Sequence, residues 1–230
     1  MQDAGEICIF AERKNRYIMR KTILSLMALG AVATAPAQDI ELVAPSREGG
    51  ATVMEAFWQR HSEREFAPEA LTPQDLSDLM FAASGINRPE SAHITAPSAM
   101  NKQEIDLYAF TPEGVYLYDK AAHKLAKKAD GDHRDKVAGF QEFVKTAPLV
   151  IVLVANLDRL GQYDTYSTTI VSIDAGIMAE NINLFCTGRG LASVPRTLMN
   201  SKEISSRLGL SDTELPIMNV VVGYPKNTNK

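Results

Sequence analysis

The stretch Ile105-Asp106-Leu107-Tyr108-Ala109-Phe110-Thr111-Pro112-Glu113-Gly114-Val115-Tyr116-Leu117-Tyr118-Asp119 decides the fold class. Ile105 to Phe110 and Val115 to Asp119 are two β-prone runs, and the four residues between them put Pro and Gly where a tight turn uses them. The stretch reads as a β-hairpin. A hairpin pairs its strands antiparallel, which argues against strict strand–helix–strand alternation. Helical signals lie on both sides of it, so the chain is expected to be an α+β protein.

Downstream, residues 120–146 are mixed and mostly polar, with a helix expected from about Arg134 to Lys145. Pro148 opens a continuous apolar run, Leu149 to Ala155, of the kind buried on both faces of a sheet. Ser167 to Thr187 is the longest helix candidate and is apolar nearly all round, with Ile170, Val171, Ile173, Ile177, Met178, Ile182, Leu184 and Phe185. A helix with so little polar face belongs in the core or against a second subunit. Gly188 and Gly190 bracket its end. Asn200 followed by Glu203 predicts a capped short helix, and Ile217 to Tyr224 predicts a closing strand.

Upstream of the hairpin, Thr72, Pro73 and Asp75 form a helix start, followed by Leu76, Leu79, Met80 and Ala83 on one face and Gly85 to end it. Ile86 to Glu104 reads as loop. Val53, Met54, Phe57 and Trp58 recur at helical spacing, predicting an amphipathic helix over 52–61. Residues 38–51, with Pro45 and Gly49-Gly50, read as an extended leader, and the domain is expected to occupy 52–230.

The chain has 230 residues, 45% hydrophobic and 23% charged, which is the balance of an ordinary globular protein and excludes disordered and collagen-like classes. Its net charge of −4 gives no electrostatic reason to expect nucleic acid as a partner. Met19-Arg20-Lys21, the apolar run Ile23 to Val32 and Ala35-Pro36-Ala37 are the successive parts of a secretory signal peptide. Residues 1–37 are therefore expected to be an extension plus signal peptide, with translation starting at Met19 and cleavage after Ala37. The expected product is exported, periplasmic or secreted, with no membrane span. It keeps 19 basic and 25 acidic residues, a balance of −6, and one cysteine, Cys186, expected as a small core residue.

No Gly-rich phosphate loop, nucleophile elbow or zinc-helix motif is present. The four histidines show no metal-ligand spacing, so no metal is expected. His123 and His133 read as solvated surface residues. Two polar clusters remain. Arg60, His61, Ser62 and Arg64 gather guanidinium, imidazole and hydroxyl groups at a helix-to-loop junction, a combination suited to phosphate as well as to a solvated face. Ala96 to Gln103 holds hydroxyl and amide groups just before a strand, chemistry that can read the edge of a heterocycle and is also common in turns.

In their order, five stretches of this chain resemble the FMN-dependent nitroreductase family. They are R-H-S-E-R-E-F at 60–66; A-P-S-A-M-N-K-Q at 96–103, leading into the T-P-E-G-V-Y-L-Y-D hairpin at 111–119; A-P-L-V-I-V-L-V at 147–154; S-I-D-A-G-I-M-A-E-N-I-N-L at 172–184 with G-R-G-L-A-S-V-P-R at 188–196; and V-V-V-G-Y-P-K at 220–226. The Y-L-Y-D hairpin looks most like the branch related to azoline-forming peptide oxidases.

The resemblance implies a central, mostly antiparallel sheet flanked by helices, and a homodimer with FMN bound at the interface. Ser167–Thr187 becomes the dimer-core helix. By similarity, Arg60, His61, Ser62, Arg64 and Lys226 hold the phosphate and ribityl chain. Pro97, Ser98, Ala99, Asn101 and Gln103 line the ring system, and Pro195, Arg196 and Thr197 pass its reactive edge. Met100 stands where the family often has Gly or another small residue. Arg196-Thr197 replaces an apolar residue followed by Gly or Glu, making Arg196 a candidate tuner of the flavin.

The implied activity is ping-pong hydride transfer from a reduced donor, NAD(P)H among the candidates, to an organic acceptor such as a nitroaromatic or quinone. The alternatives are an oxidase of the azoline type and a flavin-binding protein without turnover.

Overall fold

The computed structural model describes residues 38–226, all within a unit spanning Ala37–Lys230. The signal-peptide reading of 1–37 lies outside the described residues.

After the leader, which contributes strand β1 (Ile40–Glu41), come helices α1 (Val53–Gln59) and α2 (Pro73–Ser84) and a small ribbon of β2 (Ile86–Arg88) and β3 (His93–Ile94). Strands β4 (Ile105–Phe110), β5 (Gly114–Asp119) and β6 (Lys124–Asp130) follow, then short helices α3 (Arg134–Ala138) and α4 (Phe143–Thr146) and strand β7 (Leu149–Asn156). The long α5 (Thr165–Gly188), β8 (Ala192–Arg196), α6 (Ser201–Leu208) and β9 (Glu214–Gly223) complete the chain. The main sheet has seven strands in the order β1-β6-β5-β4-β7-β9-β8, every pair antiparallel. The α+β expectation and the β4–β5 hairpin are both realised.

β7 shows why its sequence is apolar without alternation. Ile151 and Leu153 pack on one face with Leu79 and Met80 of α2 and Val171, Met178 and Ile182 of α5. Val150, Val152 and Val154 pack on the other with Val137 of α3, Val144 of α4 and Ile204 of α6. Both faces are covered, so every position can be apolar, and each fully buried side chain of this size stabilises by about 1.5–3 kcal/mol. α2 starts as its signals predict, with Thr72 accepting from Asp75 N and Pro73 at the first helical position. Asn200 likewise accepts from Glu203 N at the start of α6. Burial pushes the Cys186 thiol pKa up, in keeping with a core cysteine.

Several expectations are corrected. The 134–145 helix is two helices, broken where Gly139 adopts φ +59° with the Leu198 side chain against its Cα. β6 was not anticipated, because four of its seven residues are charged and only Leu125 and Ala129 reach the core. The 86–104 loop contains the β2–β3 ribbon. α1 turns its apolar residues outward: Val53, Met54, Phe57 and Trp58 are exposed, Trp58 at 86%, and only Ala56 is buried. His123 is not a free surface residue. Its Nε2 lies 2.8 Å from Ser77 Oγ and its Nδ1 2.9 Å from Tyr118 OH, tying the leader's Val43 carbonyl to α2.

Candidate functional site

Three segments far apart in sequence are stitched together at one corner of the sheet. α1, closed at its start by a Thr52–Glu55 capping box, ends at Arg60, and the chain then runs extended beside the free edge of β8. Glu63 N donates to Ser193 O at 3.0 Å. Ala67 N donates to Tyr224 O at 2.9 Å, Phe66 bridges to Pro225, and Lys226 N donates to Glu65 O at 3.0 Å. The segment satisfies an edge that would otherwise be open, and it carries Arg60–Arg64 to β8 and Lys226.

Alternation along this extended segment divides its polar residues. Gln59, His61 and Glu63 line a small cleft of about 160 Å³ with Thr187, Gly190 and Ser193. His61 Nδ1 is 2.8 Å from Gln59 O, and its Nε2 is 3.7 Å from Glu63. Arg64 opens instead onto a hollow of about 410 Å³ walled by Gln141, Pro195, Arg196, Thr197, Leu198 and Met218. The expected group of four is thus split, with Arg64 joining Pro195–Thr197 and His61 turned to the α5 side.

Arg60, Ser62, Arg64 and Lys226 are exposed, and among the described residues their side chains have no hydrogen-bond or ion-pair partner. Two guanidinium groups, a hydroxyl and an ammonium left unpaired at one corner form a donor set suited to a phosphate monoester.

Arg196 is the opposite case. Its Nε donates to Gln141 Oε1 at 2.6 Å, Nη1 to Asn219 Oδ1 at 3.0 Å and Val137 O at 3.3 Å, and Nη2 to Ala138 O at 2.9 Å, with Phe143 stacked beneath. Four of a guanidinium's five N–H groups are spent inside the protein, so Arg196 is a wall of the hollow more than a free charge within it. Burial, with the like charge of Arg64 nearby, lowers its pKa from the ordinary guanidinium value.

The second expected cluster lies elsewhere. Pro97, Ser98, Ala99, Asn101 and Gln103 form a tight turn just before β4, and a 3-10 turn spans Ala99–Asn101. Glu104 O accepts from Asn156 N, and Asn156 pairs with Glu214 at the start of β9, whereas Lys226 follows the end of β9. The two clusters therefore sit at opposite ends of the sheet. Met100, Asn101 and Gln103 all adopt left-handed backbone, with φ of 51°, 53° and 50°. This conformation is costly for residues other than Gly and is tolerated where surroundings over-determine it.

Those surroundings include residues that the sequence reading passed over. Asp174 of α5 accepts Ala99 N at 2.8 Å, Arg159 donates to Gln103 O at 2.7 Å, and Glu104 lies fully buried beneath Ser98. Asp174, one of two acids in the largely apolar 167–187 helix, was the available signal.

Comparison with known proteins identifies the family. Residues 58–224 match the profile of the Nitroreductase family. A provisionally assigned nitroreductase of Methanocaldococcus jannaschii is 29% identical over 172 residues, covering 70% of this chain and 86% of that protein. Among solved structures, a provisionally assigned nitroreductase of Ralstonia eutropha is 35% identical, with a TM-score of 0.79 over 87% of this chain and 93% of its own. Another from Anabaena variabilis, 21% identical, superposes with a TM-score of 0.70 over 85% of this chain and 43% of its own, a likeness of fold. The sheet order, the corner and a match running from Trp58 to Tyr224 lead to one assignment: the chain belongs to the nitroreductase family.

Proposed function

We propose that this family member is an FMN-dependent oxidoreductase acting as a homodimer, and the observation that carries the reading is the unpaired donor set of Arg60, Ser62, Arg64 and Lys226. Arg60 and Arg64 hold the phosphate by charge-assisted hydrogen bonds, Ser62 adds a neutral donor, and Lys226 closes the corner from the end of β9. Pro195–Thr197 gives the hollow beside Arg64 its floor. Arg196, bonded to α3 and β9, keeps that floor rigid. Bound FMN supplies hydride transfer, accepting from a reduced donor such as NAD(P)H and giving to an organic acceptor such as a nitroaromatic or quinone. No dedicated acid–base pair is required of the protein for this chemistry.

Two features support the dimer reading. A single copy keeps the Pro97–Gln103 turn at the far end of the sheet from the corner, so a second copy is needed to bring a turn to each corner. The outward apolar residues of α1, with Ile173 and Tyr166 of α5 and Met100 of the turn, are an exposed surface such a partner would cover. No helix among the described residues is long and apolar enough to cross a membrane. Export with removal of residues 1–37 is part of this proposal, and N-terminal sequencing of the mature protein checks it.

The deciding experiment is the visible spectrum of purified residues 38–230 before and after anaerobic NADPH, with the released cofactor identified by mass. Bound FMN that bleaches is the expected result. FMN that binds without bleaching points to an oxidase, as in the azoline-type branch, or to a carrier. A colourless protein that cannot be reconstituted overturns the reading.

A further inference from the structure

Beneath the Pro97–Gln103 turn lies a pair of acids that no step of the proposed reaction uses. Glu104 is fully buried, and its Oε1 has no hydrogen-bond donor among the described residues; Oε2 receives only a long contact, 3.4 Å, from Ser98 Oγ. Its neighbour Asp174, 6% exposed on α5, accepts the Ala99 N–H at 2.8 Å. Two buried carboxylates side by side, one lacking a donor, are unfavourable twice over, by desolvation and by repulsion. A single proton on Glu104, donated to Asp174, removes both penalties and gives the orphaned oxygen a partner.

The charges around the pair fit that count. Lys120, at the end of β5, reaches Gln103 Oε1 at 3.4 Å. Arg159, after β7, is spent on Asp106 of β4 at 2.7 and 3.0 Å and on Gln103 O at 2.7 Å. Two cations therefore face three carboxyl groups, those of Asp106, Asp174 and Glu104, and neutralising one balances the cluster. The turn above is bound to it at several points. Ser98 Oγ, which meets Glu104, accepts Gln103 N at 2.6 Å, while Asp174 holds Ala99 N. Left-handed Met100, Asn101 and Gln103 lie between or at these anchors.

We propose that Glu104 and Asp174 share one proton, and that this protonated pair is the positioning device holding the strained 98–103 turn in the shape that presents Asn101 and Gln103. Its consequence for the cofactor rests on the FMN reading above; the proton sharing does not. Desolvation, reinforced by Asp174, pushes Glu104 up to about 7. A carboxyl raised in the folded state favours folding most fully below its unfolded pKa, and that contribution is lost as pH rises through the folded value. The turn is therefore tight in mild acid and loosens progressively as pH rises to about 7, above which no further loosening follows.

The test uses the intact chain and the variant Glu104→Gln, whose neutral carboxamide donates to Asp174 at every pH. Amide exchange at Ala99 and Gln103 is followed from about pH 5.5 to about pH 8.5, corrected for intrinsic base catalysis. In the natural chain, protection at these two amides is expected to fall by up to roughly tenfold per pH unit from the acid end of the range to the folded pKa of about 7, the limit for loss of one proton, and to level off above it. The variant's corrected protection stays flat. The flavin-free natural chain should also show the infrared carbonyl stretch of a protonated carboxylic acid at the acid end of the range, absent from the variant.

FMN affinity, titrated by fluorescence, should weaken across the same range in the natural chain only. Flat exchange in the natural chain, or no protonated-acid band in its spectrum, overturns the proposal, and the band needs no variant to fold. FMN that fails to bind at any pH refutes the cofactor reading while exchange and infrared still decide the pair. FMN that binds with pH-independent affinity, while exchange shows the pair, overturns the turn's positioning role.

Discussion

The corner at Arg60–Arg64 and the turn at Pro97–Gln103 carry charge in opposite ways. At the corner, cations stand in water with no partner among the described residues, on a backbone tied to β8 and β9. At the turn, the backbone is strained and the charges beneath it are buried, bonded to one another and to main-chain groups. Water solvates an unpaired guanidinium cheaply, so the corner can wait for an anion without cost to folding. The interior solvates nothing, so the turn must balance its charges before any ligand arrives. In the proposed reading, binding capacity and structural rigidity fall in different regions, with Arg196 walling the hollow beside Arg64 but belonging to the rigid class.

The largest expected effect breaks that distinction at Arg196. Arg196→Ala strands Asn219 Oδ1 and the Val137 carbonyl inside the protein, leaves Ala138 O with the Gln141 N–H alone, and should destabilise the fold by about 3 kcal/mol in urea titration. A loss near zero would mean Arg196 is as free as Arg64. Arg64→Ala should leave the urea midpoint where it was and weaken FMN by roughly ten- to a hundredfold, equivalent to about 1.5–3 kcal/mol of charge-assisted hydrogen bonding. Unchanged affinity would remove Arg64 from the corner.

Ile173→Glu places a charge on the exposed apolar face of α5. It should raise the dimer dissociation constant by roughly thirtyfold, as for an interface hot spot of about 2 kcal/mol, read by analytical ultracentrifugation. A dimer indifferent to it would place the interface elsewhere. The smallest effect is a control that leaves the Thr72 N–H bond to the Tyr224 hydroxyl in place: Thr72→Ala removes the α2 cap and should cost about 1 kcal/mol in thermal unfolding with FMN affinity preserved.

Much of the fold could be read residue by residue. The hairpin, the caps of α2 and α6 and the two-sided apolar run of β7 are local or periodic signals, and each appears where it was expected. β6 was hidden because its lysines mask a short alternation, and the 134–145 helix was read through Gly139 because nothing in the local pattern reveals the Leu198 side chain that fills the space there. At the candidate site, residue types were legible and geometry was not. The R-H-S-E-R segment offered donors suited to a phosphate as well as to a solvated face, but only an extended backbone beside β8 sends His61 to one face and Arg64 to the other.

The sequence by itself determined the α+β class, the family and the kinds of side chain in the two polar clusters, because propensity, capping and short motifs are properties of neighbours along the chain. The tertiary structure alone decided which charges are free and which are spent. Arg196 is used up by carbonyls 58 and 59 residues away, and Asp174 reaches Ala99 across 75 residues. A charge takes its chemistry from the dielectric and the partners around it, and those are assembled only when the chain packs.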